Sequence, residues 1–170
     1  MKSKNTFHDS IDGYVVGIDS RGREFYFDKV DYSLAIQHTW NVSASDGYVA
    51  TNVGYKEGKS RRLLMHRFIL NPKDNEFIDH KNRVRNDCRR ENLRLCTRTE
   101  NNRNTSKQIN TTSMYKGVYW NKNKRKWHSR IMVNRKTIHL GYFDYEIDAA
   151  IAYNKASLKF YGEYATINAC

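Results

Sequence analysis

Long apolar runs are missing from this chain. No segment approaches the ~18–20 consecutive apolar residues that a membrane span needs, and none follows the polar start Met1-Lys2-Ser3-Lys4-Asn5. Neither a membrane anchor nor a secretory leader is therefore expected, and the mean hydropathy of −0.86 agrees with a soluble, polar chain. Cysteine is scarce. Cys88, Cys96 and Cys170 form no Cys-x-x-Cys pair, which excludes a structural zinc site of four cysteines. An odd cysteine count without a leader implies reduced thiols in a cytoplasm. Pro72 is the only proline. Acidic residues are outnumbered, 18 Asp and Glu against 30 Lys and Arg, for a net charge of +12 and a pI near 9.7. That imbalance implies a polyanionic partner. It is also local: residues 101–143 hold ten basic residues and no acidic one, whereas residues 1–47 hold five basic and seven acidic residues. The nucleic-acid-facing part is thus expected in the middle and C-terminal portions, where basic side chains supply salt-sensitive affinity by releasing counterions.

A length of 170 residues allows one medium domain or two to three small modules with thin cores. The pattern favours the second, within the α+β class. Residues 1–62 suggest a β-rich module. Its first twelve residues are polar and expected to be frayed. Tyr14 to Ile18 and Glu24 to Asp28 flank the turn Asp19-Ser20-Arg21-Gly22 as a hairpin. Tyr32 to His38 suggests a short helix, and Trp40 to Ser43 and Tyr48 to Val53 suggest strands about the turn Ser45-Asp46-Gly47. Lys59 to Arg62 is expected to be a basic turn. Leu63 to Leu70 suggests a strand running into a helix that brings His66 beside the segment that follows, residues 77–105, and Trp40 is a core residue in this scheme.

The chemistry concentrates in Phe77-Ile78-Asp79-His80 and the asparagines downstream. On a short strand Asp79 and His80 point to opposite faces, so one can hold a metal while the other meets a different atom of the substrate. Phosphodiester hydrolysis needs an activated water and a cation at the scissile phosphate. Histidine is the natural base near neutral pH, and carboxylate and amide oxygens are natural ligands for a hard cation. Leu93 to Cys96 suggests a second strand, with Asn92 just before it. A helix is expected from about Thr97, where Thr97 and Glu100 have the spacing of a capping box, and Asn101 follows inside it. Between the strands, residues 81–90 carry five basic residues. This stretch is either a solvated loop or, given its place beside the site, a set of phosphate contacts through Arg83, Arg85 and Arg89.

Met65-His66-Arg67, Ile78-Asp79-His80, Asn86-Asp87, Arg90-Glu91-Asn92-Leu93-Arg94 and Glu100-Asn101 with Asn104 resemble the HNH nuclease family, in particular the phage- and intron-encoded homing endonucleases. The resemblance covers residues 63–105. It implies a ββα-metal finger in which His80 is the general base, Asp79 and Asn101 are the metal ligands, and Asn92 fixes the ββ loop and the His80 ring. For His66 it leaves two readings open, a catalytic role and a structural one on the element before the finger. It further implies one divalent ion per site, Mg²⁺ or Mn²⁺ and not zinc, and a bacterial host cytoplasm.

Residues 106–113 suggest a linker within a stretch of almost no apolar content, serving as either a tether or an extended arm along a DNA groove. Residues 114–170 then suggest three strands and a helix. Gly117 to Trp120, Trp127 to Val133 and Thr137 to Phe143 are the strands, the second with Trp127, Ser129, Ile131 and Val133 on one face and His128, Arg130 and Met132 on the other. Asp144 is placed to cap a helix, with an apolar stripe Ile147, Ala150, Ile151, Asn154, Leu158 and Tyr161 and alanines beside it. Gly162 stops it. One sheet face is left bare, a shape suited to the DNA major groove.

Tyr115-Lys116-Gly117-Val118, Trp127, Arg130-Ile131, Leu140-Gly141-Tyr142-Phe143, Ala149-Ala150, Ala152-Tyr153, Gly162, Ala165 and Asn168 resemble the plant ethylene-response-factor (Apetala-type) DNA-binding domain. Its base-reading positions align here with Lys116, Tyr119, Asn121, Arg130, Met132, Thr137 and His139. Several of the family's arginines are replaced, so the fold carries over and the plant target sequence does not. Arg130 is the leading base contact, and Lys122, Lys124, Arg125 and Lys126 are phosphate contacts. Together the two resemblances imply a metal-dependent, site-specific endonuclease acting on double-stranded DNA, as a monomer or a DNA-assembled dimer, without a membrane partner. The alternative is a non-catalytic DNA-binding regulator.

Overall fold

The computed structural model describes residues 5–105 and 112–170. The linker expected at 106–113 lies mostly outside the described residues, as does the start of the chain. The fold is α+β, and the chain divides into two compact units, Met1–Arg98 and Thr99–Cys170. Among the described residues no helix is long and apolar enough to cross a membrane.

The first unit holds three small antiparallel sheets. Strands β1 (Thr6–Asp9), β2 (Tyr14–Ile18) and β3 (Glu24–Asp28) pair in that order. The β2–β3 hairpin lies where its alternation and turn residues put it. Asp19 builds its turn, accepting the backbone N–H of Arg21 (2.8 Å) and Arg23 (3.0 Å) and the Arg23 guanidinium. The same carboxylate accepts the Val42 N–H at 3.0 Å. Strand β1 corrects the expectation of a frayed start. Its register is fixed by pairing with β2, and Asn5 before it clamps Trp40 by accepting its N–H (2.7 Å) and donating to its carbonyl (2.8 Å).

A 3-10 turn and helix α1 (Tyr32–Ala35) lead to Trp40, which is fully buried and donates its indole N–H to the Ala35 carbonyl at 2.8 Å. Strands β4 (Asn41–Val42), β5 (Val49–Lys56) and β6 (Lys59–Leu64) form the second sheet. The Lys59-to-Arg62 stretch is strand rather than turn. The reversal falls one step earlier, at Glu57-Gly58, both with positive φ (52° and 74°), between the register partners Lys56 and Lys59. Two left-handed residues make the tight hairpin turn whose twist matches paired strands.

Helix α2 (Met65–Leu70) follows β6 directly and ends on Asn71 in the left-handed region, with Pro72 next, a common way to stop a helix. Strands β7 (Phe77–His80) and β8 (Leu93–Cys96) form the third sheet. One apolar core runs through the whole unit, joining Phe25, Phe27 and Trp40 to Met65, Ile78, Cys88 and Leu93. Each large buried side chain contributes about 1.5–3 kcal/mol, so strands β7 and β8 share the core that stabilises the N-terminal sheets.

Helix α3 (Arg98–Arg103) straddles the division between the units. In the second unit, β9 (Val118–Asn121), β10 (Lys126–Val133) and β11 (Lys136–Phe143) form an antiparallel sheet with β10 central, packed on α4 (Glu146–Tyr161). Two details differ from the sequence pattern. Asp144 does not cap α4: the cap residue is Tyr145, and Asp144 is exposed and paired with Lys126 at 3.0 Å. The buried face of α4 is Ala149, Ala150, Tyr153, Ala156 and Ser157, while Ile147, Ile151 and Leu158 are exposed. Alanines allow the helix to approach the sheet closely, which turns the bulkier stripe outward. The approach is closest at Gly117 (φ +78°), where a Cβ would lie 2.0 Å from the Tyr153 ring.

Candidate nuclease site and DNA interface

The register of the β7–β8 hairpin sets the chemistry. Asp79 pairs with Arg94, and His80 with Leu93. Arg94 donates from Nε (2.9 Å) and Nη2 (2.6 Å) to the same Asp79 oxygen, and both side chains are largely buried. A buried carboxylate of this kind requires a compensating cation. The pairing partner Arg94 was legible only as part of a motif, although the antiparallel register of the two strands puts it there.

Next to Asp79, His80 and His66 are both 5 % exposed. Their rings meet edge to face with centroids 5.0 Å apart, and Tyr48 closes the group at 5.1 Å from His66 and 5.8 Å from His80. The structure thus brings His66, carried on α2, to His80. Tyr48 carried no sequence signal, because it comes from a distant turn and only the shared core places it here. Burial holds both imidazoles neutral. His66 is lowered to about 3 by burial and then by His80, Arg67 and Arg62. His80 is lowered to about 4, burial outweighing the upward pull of Asp79 and Asp87. The His66 Nδ1 is buried with no hydrogen-bond partner among the described residues.

Asn92 is buried and holds the loop between the strands. Its Oδ1 accepts the Asn82 N–H at 2.9 Å and its Nδ2 donates to the Asp87 carbonyl at 2.8 Å. Burial alone would raise the Asp87 carboxyl, but hydrogen bonds from Arg89 and Asn82 hold it below the usual range.

The basic loop is largely a structural staple. Arg89 pairs with Asp87 (2.7 Å) and Glu91 (2.9 Å) and lies over the Tyr14 ring. Arg90 pairs with Asp31 at 2.6 Å and its N–H is accepted by Asp28. Arg85 donates to the Asp46 carbonyl at 2.8 Å and sits over Tyr48. Arg83 is exposed in a left-handed conformation (φ 64°). Arg83 and Arg85 line a cleft of about 620 Å³ with Arg23, Glu24 and Asp46.

Of the metal ligands expected, Asp79 is the penultimate residue of β7, while Asn101 is half-buried on α3, in the second unit. Among the described residues no three histidine, cysteine, aspartate or glutamate side chains gather as a metal-holding group. Asp79 and Asn101 each offer a donor of the type that suits a hard divalent cation, one a carboxylate and the other an amide oxygen.

In the second unit the bare sheet face carries three stacked pairs. The Arg130 guanidinium lies 4.3 Å over the Tyr119 ring. His128 Nε2 and His139 Nδ1 are 2.7 Å apart. The Lys124 ammonium lies 4.1 Å from the centre of Tyr142. His128 is held below its ordinary value by burial, then by His139, Arg130 and Lys124. Lys122, Lys124 and Arg125 are exposed at the β9–β10 turn, and Lys126 pairs with Asp144. Lys116 is engaged elsewhere, donating to the carbonyls of Arg103 (2.8 Å) and Thr105 (2.6 Å). His128 and Tyr142 join this face without having been singled out as contacts in the sequence.

The HNH endonuclease family model matches residues 71–103, the span that holds β7, β8 and α3. The chain is also 26 % identical over 155 residues, 87 % of its length, to the AP2-like ethylene-responsive transcription factor AIL6 of Arabidopsis thaliana. It spans 22 % of that protein's length. The HNH match supports a nuclease role acting on DNA.

Proposed function

We propose that the chain is a metal-dependent, site-specific DNA endonuclease of the homing type, encoded by a phage or an intron, which cuts one strand per active site. The ββα finger at 63–105 is the catalytic module and residues 114–170 are the DNA reader. The observation that carries this reading is the buried Asp79–Arg94 pair with His80 against His66 at the end of β7, where Asp79, His80 and Arg94 lie inside the span that matches the HNH endonuclease family.

Neutral His80 takes the proton from the water that attacks phosphorus in line. Its buried environment keeps the ring in the proton-accepting form, and the charge of an incoming phosphodiester raises its basicity at the moment it is needed. Asp79 and Asn101 would be the protein ligands of a divalent ion, magnesium or manganese rather than zinc. When bound, the ion neutralises charge developing on the phosphate and the leaving 3′ oxygen. Asn92 keeps the loop after His80 in one conformation, and His66 packs against the His80 ring to fix its orientation. One finger per chain nicks one strand, so a double-strand break needs a second chain assembled on the DNA.

The reader presents Tyr119, Arg130, His139 and the turn cations Lys122, Lys124, Arg125 and Lys126 to duplex DNA. A second reading, a non-catalytic DNA-binding regulator, is favoured by the similarity to a transcription factor. Plasmid nicking with Mg²⁺, with EDTA and with His80→Ala separates the two when run beside a gel shift and with genomic DNA of the source or its host in parallel. The endonuclease reading expects metal-dependent nicking that His80→Ala abolishes while binding persists. Tight binding by wild type without cutting in Mg²⁺ or Mn²⁺ replaces it with the regulator.

A further inference from the structure

The hairpin of β5 and β6 has a stretch that the first unit does not use. Residues 52–62 are exposed without exception, although the strands on either side of them, at Val49 to Thr51 and at Leu63–Leu64, run into the buried part of the unit. A two-stranded ribbon with no core face is marginal by itself. This one also carries like charges in register: Lys56 lies directly across from Lys59. Arg61 is two residues beyond Lys59 and so on the same face. Directly opposed like charges destabilise a sheet. Arg62, on the other face, is paired with Asp46 at 3.0 Å. Lys56, Lys59 and Arg61 make no ion pair among the described residues. Val53 (41 % exposed) and Tyr55 (75 %) complete an outward surface that is cationic and aromatic.

We propose that this ribbon is a second DNA-contacting arm, built into the nuclease unit and separate from the C-terminal reader. Its occupant is duplex DNA, because the charge along one face matches a phosphate backbone and no ion pair among the described residues engages it. From Lys59 to Leu63 the strand reaches about 13 Å at ~3.3 Å per residue. That is enough to enter a major groove about 8.5 Å deep, which admits a two-stranded ribbon. Its base connects to the site on both sides: β6 continues into α2 and His66, and β5 begins next to Tyr48. DNA held by the ribbon is therefore held in a fixed relation to His80. This inference rests on the endonuclease reading and gives the N-terminal module its role within it.

The test uses the full chain carrying Lys56→Ser, Lys59→Ser and Arg61→Ser, with a charge-keeping control of Lys56→Arg, Lys59→Arg and Arg61→Lys. Binding to a mixed-sequence duplex is titrated across salt concentrations, and single-turnover nicking is measured at saturating protein. Three lost phosphate contacts lower the slope of log affinity against log salt by about 2.7. Between about 50 and 200 mM salt, wild-type affinity then falls about 40-fold further than that of the serine variant. The charge-keeping control keeps the wild-type slope and nicks at saturation within about twofold of wild type. A serine variant with the wild-type slope overturns the arm and leaves these cations as guards of an exposed edge strand. A wild type that neither binds nor cuts any duplex overturns the endonuclease reading and the arm together. A wild type that cuts, beside a variant with unchanged slope, overturns the arm alone.

Discussion

Asn92→Ala is the most informative single change in the finger, because the structure states what it breaks. The side chain is buried and makes two bonds into the loop, from the Asn82 N–H at 2.9 Å and to the Asp87 carbonyl at 2.8 Å. Alanine removes both, leaving the buried Asp87 carbonyl and the part-buried Asn82 N–H without these bonds. Each such group costs about 1–3 kcal/mol, so the expected loss is about 2–4 kcal/mol from the first unit. Trp40 is the one tryptophan of that unit. Urea unfolding followed by its fluorescence, in a background with Trp120→Phe and Trp127→Phe, therefore reports the loss directly. Asn92→Asp keeps the acceptor but places an oxygen against the Asp87 carbonyl, and should destabilise at least as much. Hydrogen exchange should accelerate at Asn82. Nicking measured where the variant is still folded should fall by up to about 100-fold, the effect of misplacing a reacting group by roughly 1 Å. A cost below about 1 kcal/mol with unchanged exchange at Asn82 would refute the reasoning. The loop would then be held by Arg90 on Asp31 and by the Cys88 N–H on the Tyr26 carbonyl.

Three further outcomes follow from the same geometry. Asp19 is held at about 2: burial raises it, and hydrogen bonds from Arg23, Arg21 and Val42 more than reverse this. Its folded value lies below the unfolded value of about 3.9. The stabilisation of about 2–3 kcal/mol is therefore present above pH ~4 and lost as pH falls through about 2. Acid unfolding of Asp19→Asn should lack that part of the transition. Gly117→Ala should cost the second unit about 3 kcal/mol or more by forcing a Cβ into Tyr153 and straining a positive φ, and wild-type thermal stability of that variant would be inconsistent with the packing described. The Ser129 hydroxyl is buried without a hydrogen-bond partner among the described residues, so Ser129→Ala should be neutral or stabilise by up to about 1 kcal/mol in a denaturant melt; a clear loss would reveal a partner for that hydroxyl.

The parts of the fold legible in the sequence are those whose energy is local. The β2–β3 hairpin announces itself through Asp19 and Gly22 between alternating aromatics, and β10 through its alternation about Ser129 and Ile131. Strand β1 was hidden because only Phe7 in it is apolar. What orders it is pairing to β2 and the Asn5 clamp on Trp40, a residue 35 positions away. Strand β6 was hidden for the opposite reason. Being exposed on both faces, Lys59 to Arg62 has no alternation to show, and its charges suggest a turn. On α4 the larger side chains mark a stripe by hydropathy, but the sheet selects the alanines, because distance of approach rather than side-chain area decides that interface. In the candidate site, Asp79, His80 and Asn92 could be picked out by type and spacing. His66 was legible as a residue brought beside this strand by the element before it, but Tyr48 was not, since its place depends on three sheets sharing one core.

Charge counted along the sequence is a poor guide to where DNA would lie, and the basic loop shows why. Of its five cations, Lys81 donates to the Glu91 carbonyl, Arg85 to the Asp46 carbonyl, Arg89 pairs with Asp87 and Glu91, and Arg90 pairs with Asp31. Removing any of these four would loosen the loop that follows His80, so a loss of binding in such a variant would not identify a phosphate contact. Arg83 differs: it is exposed, and among the described residues no ion pair or hydrogen bond engages its guanidinium. Arg83→Ser should therefore lower the salt slope of DNA binding by about one while leaving stability within about 0.5 kcal/mol of wild type. Arg89→Ser should do the reverse, destabilising the first unit by about 2 kcal/mol or more by leaving Asp87 buried without its partner, with little change in slope. If the two variants instead behaved alike in both measurements, the separation of structural from DNA-facing charge within the loop would fail.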